Sequence, residues 1–118
     1  MRRIPVVILL AVWLAGCATP TPPEPREIHL AATPETTLRE AMDLLMERGY
    51  VIRYADGDLG RLEAVLGRMP GYGVSLRVAG QQDGSRVSIV ATRGGRPLAP
   101  RVLDPLLTDL QTRLEPLP

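Results

Sequence analysis

The chain holds one cysteine, Cys17, and one histidine, His29, and these two residues bound the covalent chemistry open to it. A lone thiol has no intramolecular disulfide partner. A lone histidine near the amino terminus leaves a Ser-His-Asp triad or a histidine-based metal site little to work with, so an exposed or edge-strand position is expected for His29. Asp56 and Asp58 flank Gly57 as the first ligands of a calcium loop would, but the series ending in glutamate at the twelfth position is missing. Aspartate and glycine are also the residues a tight turn prefers. No catalytic residue, metal or cofactor is expected on this inventory, and the chain reads as a non-enzyme.

Cys17 is set instead at the end of a leader. Two cations, Arg2 and Arg3, open the chain, Ile4 to Leu14 is apolar apart from Pro5, and Ala15 and Gly16 are small. Basic start, apolar middle and small-residue cleavage site make the pattern of a secretory signal peptide. As a helix, Ile4 to Ala15 reaches only ~18 Å against the ~30 Å hydrocarbon core of a bilayer, too short for a permanent span. The run Leu14-Ala15-Gly16-Cys17 resembles the lipobox of bacterial lipoproteins: an aliphatic residue, two small residues that let a peptidase reach the bond, and a thiol free to accept diacylglycerol. The resemblance implies a thioether lipid on Cys17, cleavage between Gly16 and Cys17, and a further acyl group on the new amino terminus. Two or more chains anchor stably where one holds marginally. In such lipoproteins from double-membraned bacteria, aspartate after the cysteine marks retention in the inner membrane. Here the position is Ala18, which implies an outer-membrane anchor facing the periplasm where the host has two membranes.

Loss of residues 1–16 would leave 102, enough for one small domain that buries somewhat over ~60% of its unfolded surface. All fourteen basic residues are arginine; two leave with the leader, and the remaining twelve face thirteen carboxylates, a formal charge of −1. That balance argues against a nucleic-acid partner. With no phenylalanine and with Trp13 in the leader, Tyr50, Tyr54 and Tyr72 are the aromatics left, too few for platforms on which bases or sugars stack.

Residues 17–33 read as the lipidated cysteine and a tether. Four prolines fall between Ala18 and Arg26, where they remove donors and favour extended polyproline II, with a reach of up to ~28 Å. Glu27 to Ala31 alternates and suits a short first strand (27–31). The domain proper is expected over 34–118. Thr33-Pro34-Glu35 is a helix start, with Thr37 and Glu40 as an alternative capping box. Leu38, Ala41, Met42, Leu45 and Met46 follow helical spacing up to Gly49, predicting one amphipathic helix over Pro34 to Arg48. Four alternating segments follow, with Tyr50, Ile52 and Tyr54 on one face, then Leu62, Ala64 and Leu66, then Val74, Leu76 and Val78, then Val87, Ile89 and Ala91. Asp56-Gly57, Asp83-Gly84 and the Gly94-Gly95-Arg96-Pro97 turn separate or end them. Leu103, Leu106, Leu107, Leu110 and Leu114 then mark a last helix, with Asp104 as cap and Pro105 as its first residue. The expected fold is α+β: a two-layer domain whose antiparallel sheet of about four strands, or five with the N-terminal one, carries one helix before and one after the meander on a single face.

Strand parity then sends Arg53, Arg61, Arg77 and Arg86 to the opposite face, with Glu63, Ser75 and Ser88. Four cations against one anion suit a phosphate, a carboxylate-rich glycan or an acidic protein surface; the plainer use is a solvated face that keeps the sheet soluble. Tyr72, in its glycine-rich loop, is a second candidate contact, as an exposed aromatic can anchor an interface, with packing back over the core edge as the alternative.

The order strand, helix, Gly49-Tyr50, strand, Asp56 ahead of Gly60-Arg61-Leu62-Glu63-Ala64, three more strands and a final helix resembles the helix-and-sheet domains of envelope lipoproteins. It resembles notably those in the C component of the outer-membrane β-barrel assembly machinery. The likeness spans about Ile28 to Leu114, transfers no functional residue, and departs in domain number, since that component carries two such domains. It implies an interaction module of the envelope. The expected function is thus a membrane-anchored, non-catalytic lipoprotein that binds an envelope protein partner; the alternative is a module for an anionic envelope ligand, lipid phosphate or peptidoglycan, held by the arginine face.

Overall fold

The computed structural model describes residues 24–115; the leader, Cys17 and most of the tether lie outside them. In chain order the elements are β1 (Arg26–Leu30), α1 (Pro34–Glu47), β2 (Tyr50–Asp56), β3 (Arg61–Leu66), β4 (Tyr72–Gln81), β5 (Gly84–Arg93), β6 (Arg96–Pro97), a 3₁₀ turn over Pro100–Leu103 and α2 (Asp104–Leu114). The sheet is antiparallel in the order β1-β5-β4-β3-β2, with the two-residue β6 also on β5. The β2-to-β5 part is the expected meander, and α1 carries the chain from one sheet edge to the other. Both helices cover the same face, so the domain has the expected two-layer α+β architecture. It begins at β1, whose Leu30 is a core residue.

Helix α1 starts at the cap that Thr33-Pro34-Glu35 predicts: the Thr33 hydroxyl accepts the N–H of Thr36 at 3.3 Å, and Pro34 fills the first turn. Its buried stripe is Thr37, Leu38, Ala41, Leu44 and Leu45. Leu44 thus takes a place expected for Met46, which is 49% exposed, while Met42 is only partly buried. The stripe is rotated toward Thr37 because the Thr37 hydroxyl meets that of Ser85 on β5 at 2.9 Å. The pair satisfies two polar groups that would otherwise be costly in the core.

Helix α2 differs at its start. A 3₁₀ turn precedes it, Leu103 occupies the cap position without a side-chain bond, and Asp104 lies inside the first turn. The Asp104 carboxylate instead takes Arg26 Nε at 2.9 Å and joins α2 to β1. Leu103, Leu106, Leu107 and Leu110 are buried against α1 and the sheet, with Leu114 partly so.

Strand β2 carries a bulge. Ile52 pairs with Ala64 but Tyr54 pairs with Glu63, so Arg53 is the extra residue. Tyr50 and Ile52 pack on the core as expected, whereas Tyr54, expected beside them, turns to the opposite face and is 41% exposed. Two close approaches then fix the sheet's ends. A Cβ at Gly60 (φ +64°) would lie 2.1 Å from the Val78 carbonyl oxygen, and one at Gly84 (φ +140°) 2.0 Å from that of Leu30, so neither position admits a side chain.

Candidate functional site

The face of the sheet away from the helices is uncovered among the described residues, and directly opposed residues on neighbouring strands share a face. One row crosses five strands as Glu27, Ser88, Arg77, Arg61 and Asp56. The next reads Val90, Ser75, Glu63 and Tyr54, with Arg53 in the bulge beside it. Arg86 lies on the far side of the first row, between His29 and Ala79. The four arginines singled out in the sequence therefore share this face. Tyr72 does not: its ring is half-buried against the core and tilted on that of Tyr50, with centroids 6.2 Å apart. Burial, and then the neighbouring Tyr72, hold the Tyr50 phenol well above its ordinary pKa.

The charge balance of the face differs from the expected four against one. The register of β1 brings Glu27 onto it, and the bulge turns Asp56 to it, so three carboxylates stand among the four arginines. Two of the three are engaged by uncharged donors. Asp56 accepts the N–H groups of Asp58 and Leu59 at 2.9 and 3.0 Å and the Tyr54 hydroxyl at 3.1 Å. The Leu59 N–H foremost holds its carboxyl below the usual carboxylate range. Glu27 accepts the Ser88 hydroxyl at 3.2 Å.

The arginines of this face have no such partners. Among the described residues every salt bridge is made elsewhere: Arg26 with Asp104, Arg48 with Asp109 and Arg113 with Glu47. Arg61 directly opposes Arg77, an arrangement of like charges that costs a sheet stability. Two shallow hollows lie beside them. One of about 210 Å³ is lined by Arg53, Glu63, Gly73, Ser75 and Thr92 among others, and one of about 330 Å³ by Pro25, Ser75, Arg77, Ser88 and Val90. Guanidinium and hydroxyl donors on a wet, open surface can bind an anion; nothing in the arrangement pairs a nucleophile with a base.

The other candidates have local roles. His29 is exposed on the edge strand β1, its Nδ1 3.0 Å from Gln81 Oε1, in a hollow of about 550 Å³ at the β4–β5 hairpin. Asp56 and the N–H of Asp58 belong to the hydrogen bonds that close the β2–β3 turn. Among the described residues no group of three or more acidic, histidine or cysteine side chains is placed to hold a metal, and no helix is long and apolar enough to cross a membrane. No protein-family model matches the chain, and none of the curated proteins matches it.

Sequence reasoning missed Glu27, Tyr54 and Asp56 as members of this face. Parity alone could have found Glu27, which alternates with Ile28, once β1 was placed in the sheet. A bulge leaves no mark in a period of two, so Tyr54 and Asp56 had no comparable signal.

Proposed function

We propose that this is a membrane-anchored, non-catalytic lipoprotein whose α+β domain acts as a protein-interaction or assembly module in the cell envelope. The observation that carries the reading is Leu14-Ala15-Gly16-Cys17 at the end of a short basic and apolar leader. The chemistry of that run needs a free thiol and small neighbours, and the chain has no other cysteine to compete. The domain adds support: it is small and has an uncovered sheet face but no catalytic constellation among the described residues. Ala18 favours the outer membrane, facing the periplasm, in a host with two membranes.

The test is to purify the chain from gently solubilised membranes and identify what accompanies it in fixed stoichiometry. A reproducible protein partner is the expected result. A Cys17→Ala version should still bind that partner in vitro yet fail in the cell through misplacement, and full cellular function without the lipid refutes the reading. The second reading, an anionic envelope ligand on the arginine face, draws on Arg61 and Arg77, which make no salt bridge among the described residues. It requires binding to isolated envelope lipids or glycans that weakens with salt, since exposed charges are screened over ~8 Å at physiological ionic strength.

A further inference from the structure

The open sheet face and the point where the tether leaves the domain lie together. Pro25, immediately before β1, lines the hollow formed by Ser75, Arg77, Ser88 and Val90 on the open face, and on its other side the groove between β1 and α2. The chain therefore departs at the margin of the open face, beside Arg77. Pro25 lies eight positions after Cys17, a span of at most ~25 Å in extended polyproline form. An acyl group on Cys17 would hold this face close to the headgroup layer. A tether this short keeps its cargo at an effective concentration on the order of millimolar, so contacts too weak to bind a free ligand suffice.

The surface chemistry suits such a neighbour. Among the described residues Arg61 and Arg77 oppose each other without a salt bridge, with Asp56 across from Arg61 on its other side, and an anion between the two arginines would relieve their repulsion. Glu27 and Asp56 are held by Ser88 and by the β2–β3 turn, while Glu63 stands beside Arg53. Along β2, Val51 is 58% and Tyr54 41% exposed. Aliphatic and tyrosine side chains interleaved with arginines match the interfacial zone of a bilayer, where apolar stems go in and charged heads stay at phosphate depth.

From this geometry we infer that the open face of the sheet rests on the membrane that carries the anchor, with Arg61 and Arg77 contacting the phosphates of anionic phospholipid headgroups. The helix-covered side is then the one turned outward, toward a protein partner. The inference rests on the reading of Cys17 as the lipidated residue.

Among the described residues the core and the side chains packed on it run from Ile28 to Leu114, all of which the chain from Cys17 onward retains. That chain can be coupled through its only thiol to a maleimide-bearing lipid in vesicles of phosphatidylcholine, with or without phosphatidylglycerol. Phenylglyoxal modification of each arginine is then followed by mass spectrometry. Arg61 and Arg77 should react several-fold more slowly on the phosphatidylglycerol vesicles, and high salt should restore the rate. Arg39, exposed on α1, should react equally on both. Equal rates at Arg61 and Arg77 on the two compositions, or slowing that includes Arg39, overturn the inference. So does protection of the face only in a protein complex isolated from membranes, which would assign the face to a protein. The mass of the native amino terminus separates the two levels: an unmodified Cys17 defeats the anchor and this inference together, whereas a lipidated Cys17 with an unprotected face defeats the inference alone.

Discussion

On the helix-covered side of the domain, Arg26, Arg48 and Arg113 each reach a carboxylate of another element, tying β1 to α2 and α1 to α2. On the open side of the same sheet, Arg53, Arg61, Arg77 and Arg86 make no ion pair among the described residues, although three carboxylates stand among them. The first set holds layers together over an aliphatic core. The second joins no layers, and Arg61 stands between a like charge, Arg77, and an opposite one, Asp56. Charge joins elements on one face and joins none on the other, which is the contrast the proposed membrane contact would explain.

Substitutions at neighbouring positions separate the two faces. Leu76, which is 2% exposed, and Arg77 are consecutive on β4 and point opposite ways. Leu76→Ala should cost about 2–5 kcal/mol in urea unfolding, whereas Arg77→Gln should stay within about 0.5 kcal/mol. Similar losses at both would end the distinction between a core face and an open one. Thr37→Val comes next: it leaves the buried Ser85 hydroxyl without its 2.9 Å partner and should cost about 1–3 kcal/mol. Thr37→Val with Ser85→Ala should recover most of that loss, because no polar group is then stranded. A double variant as unstable as the sum of the two singles would show that packing, rather than the hydroxyl pair, sets the position of α1.

Smaller effects are expected on the open face. Arg77→Glu replaces a like-charge opposition with an ion pair to Arg61 and should raise stability by roughly 0.2–1 kcal/mol while abolishing protection on anionic vesicles. A gain in stability with loss of the membrane contact would locate function in a strained pair; a loss of stability would show that Arg77 serves the fold. The least effect is that of Asp56, whose carboxyl is held low mainly by the Leu59 N–H. Its stabilisation is fully present above the unfolded carboxylate pKa and disappears as pH falls through the lower folded value. Urea melts of wild type and Asp56→Asn should therefore differ near neutrality and converge in acid. A difference that persists in acid would mean that the turn depends on side-chain shape and not on charge.

The layers and most core positions were legible because Leu, Val and Ile recur at two clear periods, and Thr33-Pro34 and Gly49 punctuate α1 at the sequence level. Three features were not. The Arg53 bulge shifts parity within β2 without any change in composition, so Tyr54 read as a core residue. Thr37 reads as polar in isolation and enters the core only through Ser85, 48 positions along the chain. The charge of the open face depends on Asp56, which the same bulge turns outward, and on Glu27, whose face follows from alternation only once β1 is placed beside β5, some sixty residues away in the chain. Arg61, Arg77 and Arg86 are legible by alternation because β3, β4 and β5 keep strict parity; that they make no salt bridge among the described residues is a property of the assembled face.

The proposed anchor is the premise on which the proposed orientation of both faces depends, and it is tested most directly by the amino-terminal peptide of the chain extracted from its native membranes. A first residue Cys17 bearing a diacylglyceryl thioether is the expected finding. A free Cys17 thiol, or a chain that still begins at Met1, would refute it.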